Sequence, residues 1–195
     1  FGQRYDAAGT PAGNEFQVNT YTQYYQGYPS VAALTDGGFV VTWQSKNQDG
    51  NSFGVFGQRY DASGALVGNE FQVNTYTKNY QYDSSVAALS DGGFVVTWES
   101  YGQDGDIHGI FGQRYNTSGA PVGSEFQVNS HTANIQNHSS VTALPNGGFV
   151  VTWQSNGQDG SQKGVFGQRY DASGAPIGNE FQVNSYTAND QFNPS

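Results

Sequence analysis

The sequence contains no cysteine and no methionine, and only 7 of its 195 residues are Lys or Arg. Without cysteine there are no disulfides and no thiolate metal sites. The few cations stand against 16 Asp and Glu, for a net charge of −9. That balance excludes nucleic acid as a partner, because phosphate binding needs clustered cations. No apolar run approaches the length that crosses a bilayer, so no membrane span is expected. Leu, Lys and Glu are also scarce, which argues against a helical protein. What is abundant is Gly (27), Tyr (13) and Phe (13). Glycine supplies tight-turn geometries and aromatics fill pleated surfaces, so the composition is that of short strands and many turns.

The string Phe-Gly-Gln-Arg-Tyr begins at Phe1, Phe56, Phe111 and Phe166, a step of 55 residues without insertion or deletion. Trp43, Trp98 and Trp153 keep the same step, as do Asp49, Asp104 and Asp159. One structural unit is therefore repeated in tandem. The chain divides into a half repeat with its loop (1–29), two full repeats (30–84 and 85–139) and a last repeat with a terminal loop (140–195). It opens at Phe1 inside a repeat and stops at Ser195 in a loop, and so reads as a segment of a longer chain.

Within one unit, 85–89 is short and apolar, and Ser90-Asp91-Gly92-Gly93 forms a turn. The stretch 94–100 is the strongest strand, rich in β-branched and aromatic residues. A Gly-rich loop leads to a third strand at 110–115, and Asn116-Thr117-Ser118-Gly119 turns into a fourth at 124–129. A four-stranded antiparallel meander of this size matches a β-propeller blade. The expected fold is all-β, with tandem propeller-like blades. The alternative is an open β-rich array or fibre, whose unpaired edges recruit further copies of the chain head to tail or edge to edge.

Three groups of side chains are candidates for function. Asp49, Asp104 and Asp159, with Asp106 beside the second, offer oxygen ligands that could hold calcium; no other cofactor is called for. The same loops read more simply as Asx turns, and the turn is the preferred reading. The tryptophans could stack on sugars but recur as a packed core would, and the core is preferred. Between repeats, the segments carrying Tyr24, Tyr25, Gln26 and Tyr28, then Tyr80, Gln81 and Tyr82, then Gln136, combine ring faces with amides suited to glycans. Drift of an unselected loop accounts for the same variation. Arg59 with Glu70, Arg114 with Glu125, and Arg169 with Glu180 read as cross-strand ion pairs that fix register.

His108, His131 and His138 have no counterparts in other repeats and show no metal-ligand spacing. No phosphate loop or nucleophile elbow is present. The expectation is therefore that the chain is not an enzyme.

The run from Val165 through Phe166-Gly167-Gln168-Arg169-Tyr170-Asp171-Ala172-Ser173-Gly174 to Asn184, with Ser90-Asp91-Gly92-Gly93 through Trp98, resembles repeats of very large bacterial surface and secreted proteins. The resemblance covers essentially the whole chain. It implies an extracellular or cell-surface protein with an adhesive, matrix or filament-forming role. Those proteins often carry calcium-binding nonapeptide segments elsewhere, but this chain has none. The segment from Ser90 to Trp98 also looks loosely like the sialidase Asp-box, with longer spacing. A structural, adhesive role is the first expectation, and a propeller-like lectin binding glycans is the alternative.

Overall fold

The computed structural model describes residues 1–191, 193 and 194. Among the described residues, twelve strands form three four-stranded antiparallel meanders. The first holds β1 (Gln26–Ala33), β2 (Phe39–Lys46), β3 (Phe53–Tyr60) and β4 (Leu66–Gln72). The second holds β5 (Gln81–Ala88), β6 (Phe94–Tyr101), β7 (His108–Tyr115) and β8 (Pro121–Gln127). The third holds β9 (Gln136–Ala143), β10 (Phe149–Asn156), β11 (Lys163–Tyr170) and β12 (Pro176–Gln182). Ahead of them, Gly2 bridges Phe16 and Tyr5 bridges Pro11, so the half repeat forms the matching outer hairpin.

The sheets stack face to face. β5 packs against β1, β2 and β3 of the sheet before it, and β9 packs in the same way against β5, β6 and β7. The first strand of each meander thus nests on the preceding sheet, as blades do around a propeller axis. This arrangement explains why the second strand is apolar on both faces. Along β6, Phe94, Val96 and Trp98 join Val40 and Val55 of the first blade. Val95, between them, turns the other way to join Val141, Phe149 and Trp153 of the third. Side chains alternate across a strand, so one strand supplies two cores. Trp43, Trp98 and Trp153 all lie buried there, as core residues.

The first strand begins four residues earlier than the apolar stretch suggests. β5 starts at Gln81, and its ladder with β6 carries a bulge between Tyr82 and Ser85. The polar residues before the bulge hide the strand from a reading by hydrophobic pattern.

The expected ion pairs do not form. In the β3–β4 ladder a bulge between Gly57 and Arg59 puts Val67, not Glu70, opposite Arg59. The same shift separates Arg114 from Glu125 and Arg169 from Glu180. Arginine and glutamate instead reach different neighbours. Arg114 donates to the Ser173 carbonyl of the next repeat at 2.5 Å and to Asp91 at 3.3 Å, and Arg59 lies 3.8 Å from Asp36. Arg169 is exposed. The glutamates face backwards. Glu125 accepts from the Thr75 amide at 2.7 Å and its hydroxyl at 3.0 Å. Glu70 does the same with Thr20, and Glu180 with Ser130. These residues clasp one blade to the next. Replacing Glu125 by alanine is expected to lower stability by about 1–2 kcal/mol, since charge-assisted bonds are lost at a partly solvated junction. Urea unfolding of parent and variant checks this.

Candidate functional site

The bulges on the inner strands create a repeated device. The bulges of β1, β5 and β9, the first and inner strand of each meander, each place a non-glycine residue at positive φ, Tyr28 at 52°, Asp83 at 54° and His138 at 54°, and Asn193, beyond the last strand, has a φ of 56°. Such a backbone turns its amide out of the ladder, and the preceding blade receives it. Gln44 Oε1 accepts from the Asp83 amide at 3.3 Å, and Gln154 Oε1 accepts from that of Asn193 at 3.3 Å. At the middle junction the acceptor is Glu99, bound to the His138 amide at 2.6 Å. A carboxylate stands where the other copies have an amide.

Around Glu99 the repeat symmetry breaks further. His138 Nδ1 lies 3.0 Å from Asp83 Oδ2, and Asp83, Glu99 and His138 each bring one ligand atom within 4.8 Å of the others. His108 Nδ1 is 4.0 Å from Glu99 Oε2 and 3.3 Å from the Tyr82 hydroxyl. In the other repeats His108 is replaced by Phe53 and Lys163, and Tyr82 by Gly27 and Asn137. Glu99 is only 1% exposed. Burial, reinforced by the neighbouring Asp83, pushes its carboxyl up to about 8. Burial also raises the Tyr82 phenol, with Glu99 adding to it, and lowers the His108 imidazole.

Tyr82, Asp83, His108 and His138 line a cleft of about 470 Å³ at the ends of the inner strands, while Glu99 is buried and is not part of its wall. Its rim is aromatic. Phe53 stacks near Tyr80 with centroids 6.2 Å apart, Tyr80 meets Tyr101 edge-on at 6.2 Å, and Tyr101 meets His108 edge-on at 5.1 Å. The cleft is large enough for a small ligand and pairs ring faces with a few convergent polar groups. A second cavity of about 490 Å³ lies between the half repeat and β1 and β2, lined by Phe1, Phe16, Val31 and Trp43. It holds none of this cluster.

Of the side chains expected to bind glycans, Tyr28, Tyr80 and Tyr82 line the cleft. Tyr24 and Tyr25 are exposed at the entry to β1, with Tyr25 edge-on to Phe53. Gln26 bonds the Gln23 carbonyl. Gln81 and Gln136 are fully buried and cannot touch a ligand. Each donates to a carbonyl three residues back, Lys78 at 2.7 Å and Ala133 at 2.8 Å, and accepts from Asn74 or Asn129. That structural duty is why the glutamine recurs. In the Gly-rich loops, Asp49, Asp104 and Asp159 each accept the amide two residues on, at 3.1, 3.2 and 3.0 Å, which is an Asx turn. Asp106 accepts from the Asn134 amide at 2.9 Å.

The sequence reading missed Glu99, Asp83 and Tyr101, and set His108 and His138 aside because they lack counterparts. The structure brings these unrepeated residues together. The signal was present in the sequence as Glu99, which occupies a position that is glutamine in both neighbouring repeats.

No family model matches the chain, and no curated protein matches it. Similarity appears among solved structures. An endo-arabinase from Bacteroides thetaiotaomicron VPI-5482 matches 90% of this chain and 69% of its own, at 15% identity and a TM-score of 0.53. A thermostable family-43 glycoside hydrolase matches 90% of this chain and 63% of its own, at 11% identity and a TM-score of 0.48. A protein of unknown function from Dyadobacter fermentans DSM 18053 matches 82% and 70%, at 10% identity and 0.43. At such identities the likeness is one of fold. With the stacked meanders, the endo-arabinase match defines the class: an all-β, propeller-like protein.

The match also corrects the functional expectations. A surface fibre or matrix does not stand as the leading role, because the chain takes the fold of an endo-arabinase, with a cleft at the inner strand ends. The expectation of no enzymatic activity is overturned too. It rested on the lack of an unrepeated constellation, and Asp83, Glu99, His108 and His138 form one.

Proposed function

We propose that the chain is a carbohydrate-recognising propeller-type module whose ligand lies in the cleft bordered by Tyr80, Tyr101 and His138. The observation that carries this reading is the aromatic rim running from Phe53 through Tyr80 and Tyr101 to His108, set beside polar groups that do not recur in the other repeats. Sugar rings offer C–H faces to aromatic side chains and hydroxyls to carboxylates, imidazoles and amides. The similarity in fold to an endo-arabinase supports an oligosaccharide over other small molecules. The likeness of the repeats to those of large bacterial surface and secreted proteins supports an extracellular setting.

Screening on a glycan array, followed by calorimetric titration of the best ligands, tests the reading. Tyr80→Ala and Tyr101→Ala are each expected to weaken binding about tenfold or more, as removal of an aromatic anchor does. Tyr5→Ala, at the exposed half repeat, is expected to leave it unchanged.

A second reading is glycoside hydrolysis in the same cleft. It is favoured by the carboxyl pair Asp83 and Glu99, of which Asp83 lines the cleft and Glu99 is buried next to it with its carboxyl pushed up to about 8, the kind of pairing that acid-base cleavage of a glycosidic bond uses. Release of reducing sugar that disappears in Glu99→Gln supports it. Binding without any release leaves recognition as the whole function.

A further inference from the structure

The strands around the cleft meet at a point that glycan recognition alone does not explain. Asp83 comes from the bulge of β5, Glu99 from β6 and His138 from the bulge of β9, so two adjacent blades hold the three side chains on rigid elements. We propose that Asp83, Glu99 and His138 form a binding site for one divalent transition-metal ion of the zinc class.

Three observations carry this. The first is distance. One oxygen each from Asp83 and Glu99 and one His138 nitrogen lie within 4.8 Å of one another, and the His138–Asp83 pair is at 3.0 Å. Ligands about 2.0–2.1 Å from a tetrahedral zinc stand roughly 3.3 Å apart, so small side-chain movements close the set around an ion.

The second is the comparison among repeats. Gln44 and Gln154 receive the bulge amide from the same position as Glu99, so that bond needs no charge. A carboxyl there, unlike the amide it replaces, can release its proton to an ion and ligate it beside Asp83. Among the described residues, Arg59 and Arg114 pair with Asp36 and Asp91, and no Lys or Arg pairs with Asp83 or Glu99. Glu99 Oε2 faces His108 Nδ1 at 4.0 Å, beyond direct hydrogen bonding.

The third is donor chemistry. An imidazole nitrogen with two carboxylates suits zinc and related ions, whereas calcium takes oxygen ligands alone. The site is distinct from the Asx-turn loops of Asp49, Asp104 and Asp159. Asp83 and His138 line the cleft, which leaves the remaining coordination position open to it. Three protein ligands and one open position are the pattern of zinc sites that act on a bound molecule. The inference does not depend on the glycan reading, since the ion binds whether or not a sugar follows. Holding an ion and acting as a general acid are alternative uses of Glu99.

The test uses the 195-residue chain, stripped with chelator and titrated with zinc chloride by calorimetry, with thermal melts alongside. The expected result is one zinc per chain and a higher melting temperature in its presence. Affinity should fall about tenfold or more in both Glu99→Gln and Asp83→Asn. Glu99→Gln installs the residue of the neighbouring repeats and keeps the amide bond, so it folds, and a melt without metal verifies that. Asp49→Asn, which preserves its Asx turn, should bind as the parent does. Absence of zinc binding, or undiminished affinity in Glu99→Gln, overturns the proposal.

Discussion

Gly93→Ala is expected to destabilise the protein by about 3 kcal/mol, the upper end of what overpacking a well-packed interior costs. A Cβ built at Gly93 falls 2.2 Å from the carbonyl oxygen of Tyr115. That oxygen belongs to the β7 backbone, in the ladder where Phe94 faces Tyr115, so it cannot rotate aside as a side chain would. Either β6 and β7 separate at this end or the turn after Asp91 rebuilds, and both cost ladder bonds. Gly38 and Gly148 occupy the same position, with Tyr60 and Tyr170 carbonyls at 2.3 and 2.2 Å. Gly105 is the control. Its φ is +96°, but a Cβ there meets nothing within 4 Å, so alanine brings only local backbone strain, about 1 kcal/mol. Urea unfolding midpoints of the two variants should differ widely. Equal midpoints would mean that the β6–β7 junction is looser than described.

The second large effect is a change in how stability depends on pH. Glu99 moves from an ordinary carboxyl value of 4.5 to about 8 on folding, chiefly through burial. The folded chain therefore holds a proton that the unfolded chain has released between those values. The stability this proton contributes is fully present below about pH 4.5 and is lost as pH rises through 8. Facing the carboxyl are Asp83, which raises it, and Tyr82, His108 and His138, which share the cluster. In chelator-containing buffer, Glu99→Gln should remove this slope and be more stable than the parent at pH 9, by about 2–4 kcal/mol. Near pH 4 the advantage should vanish. Parallel slopes in parent and variant would show that Glu99 titrates as an ordinary exposed carboxyl.

Much of the architecture could be read from the residues because periodic signals are strong. The 55-residue step, the β-branched run at Phe94 to Trp98 and the Asp-Gly-Gly turns each correspond to a formed element. The structure departs from that reading where long-range geometry decides. The inner strands begin at polar residues before a bulge, where no apolar pattern marks them. Arginine and glutamate that stand on adjoining strands reach different blades, because the bulge between Gly112 and Arg114 shifts the register. The cleft was partly legible. Tyr28, Tyr80 and Tyr82 stand out where the repeats differ, but the reading discounted the histidines for the same lack of counterparts that marks them as part of the site. In a chain built of copies, departures such as Glu99 for glutamine are more informative about function than the constant residues, which mostly serve the core.

The most direct measurement is a crystal structure of the chain with its best array-selected oligosaccharide bound. A sugar ring is expected against Tyr80 or Tyr101, with a hydroxyl within hydrogen-bonding distance of Asp83 or His138. A saccharide bound elsewhere, for instance in the apolar cavity beside the half repeat, would contradict it, as would the failure of every saccharide on the array to bind.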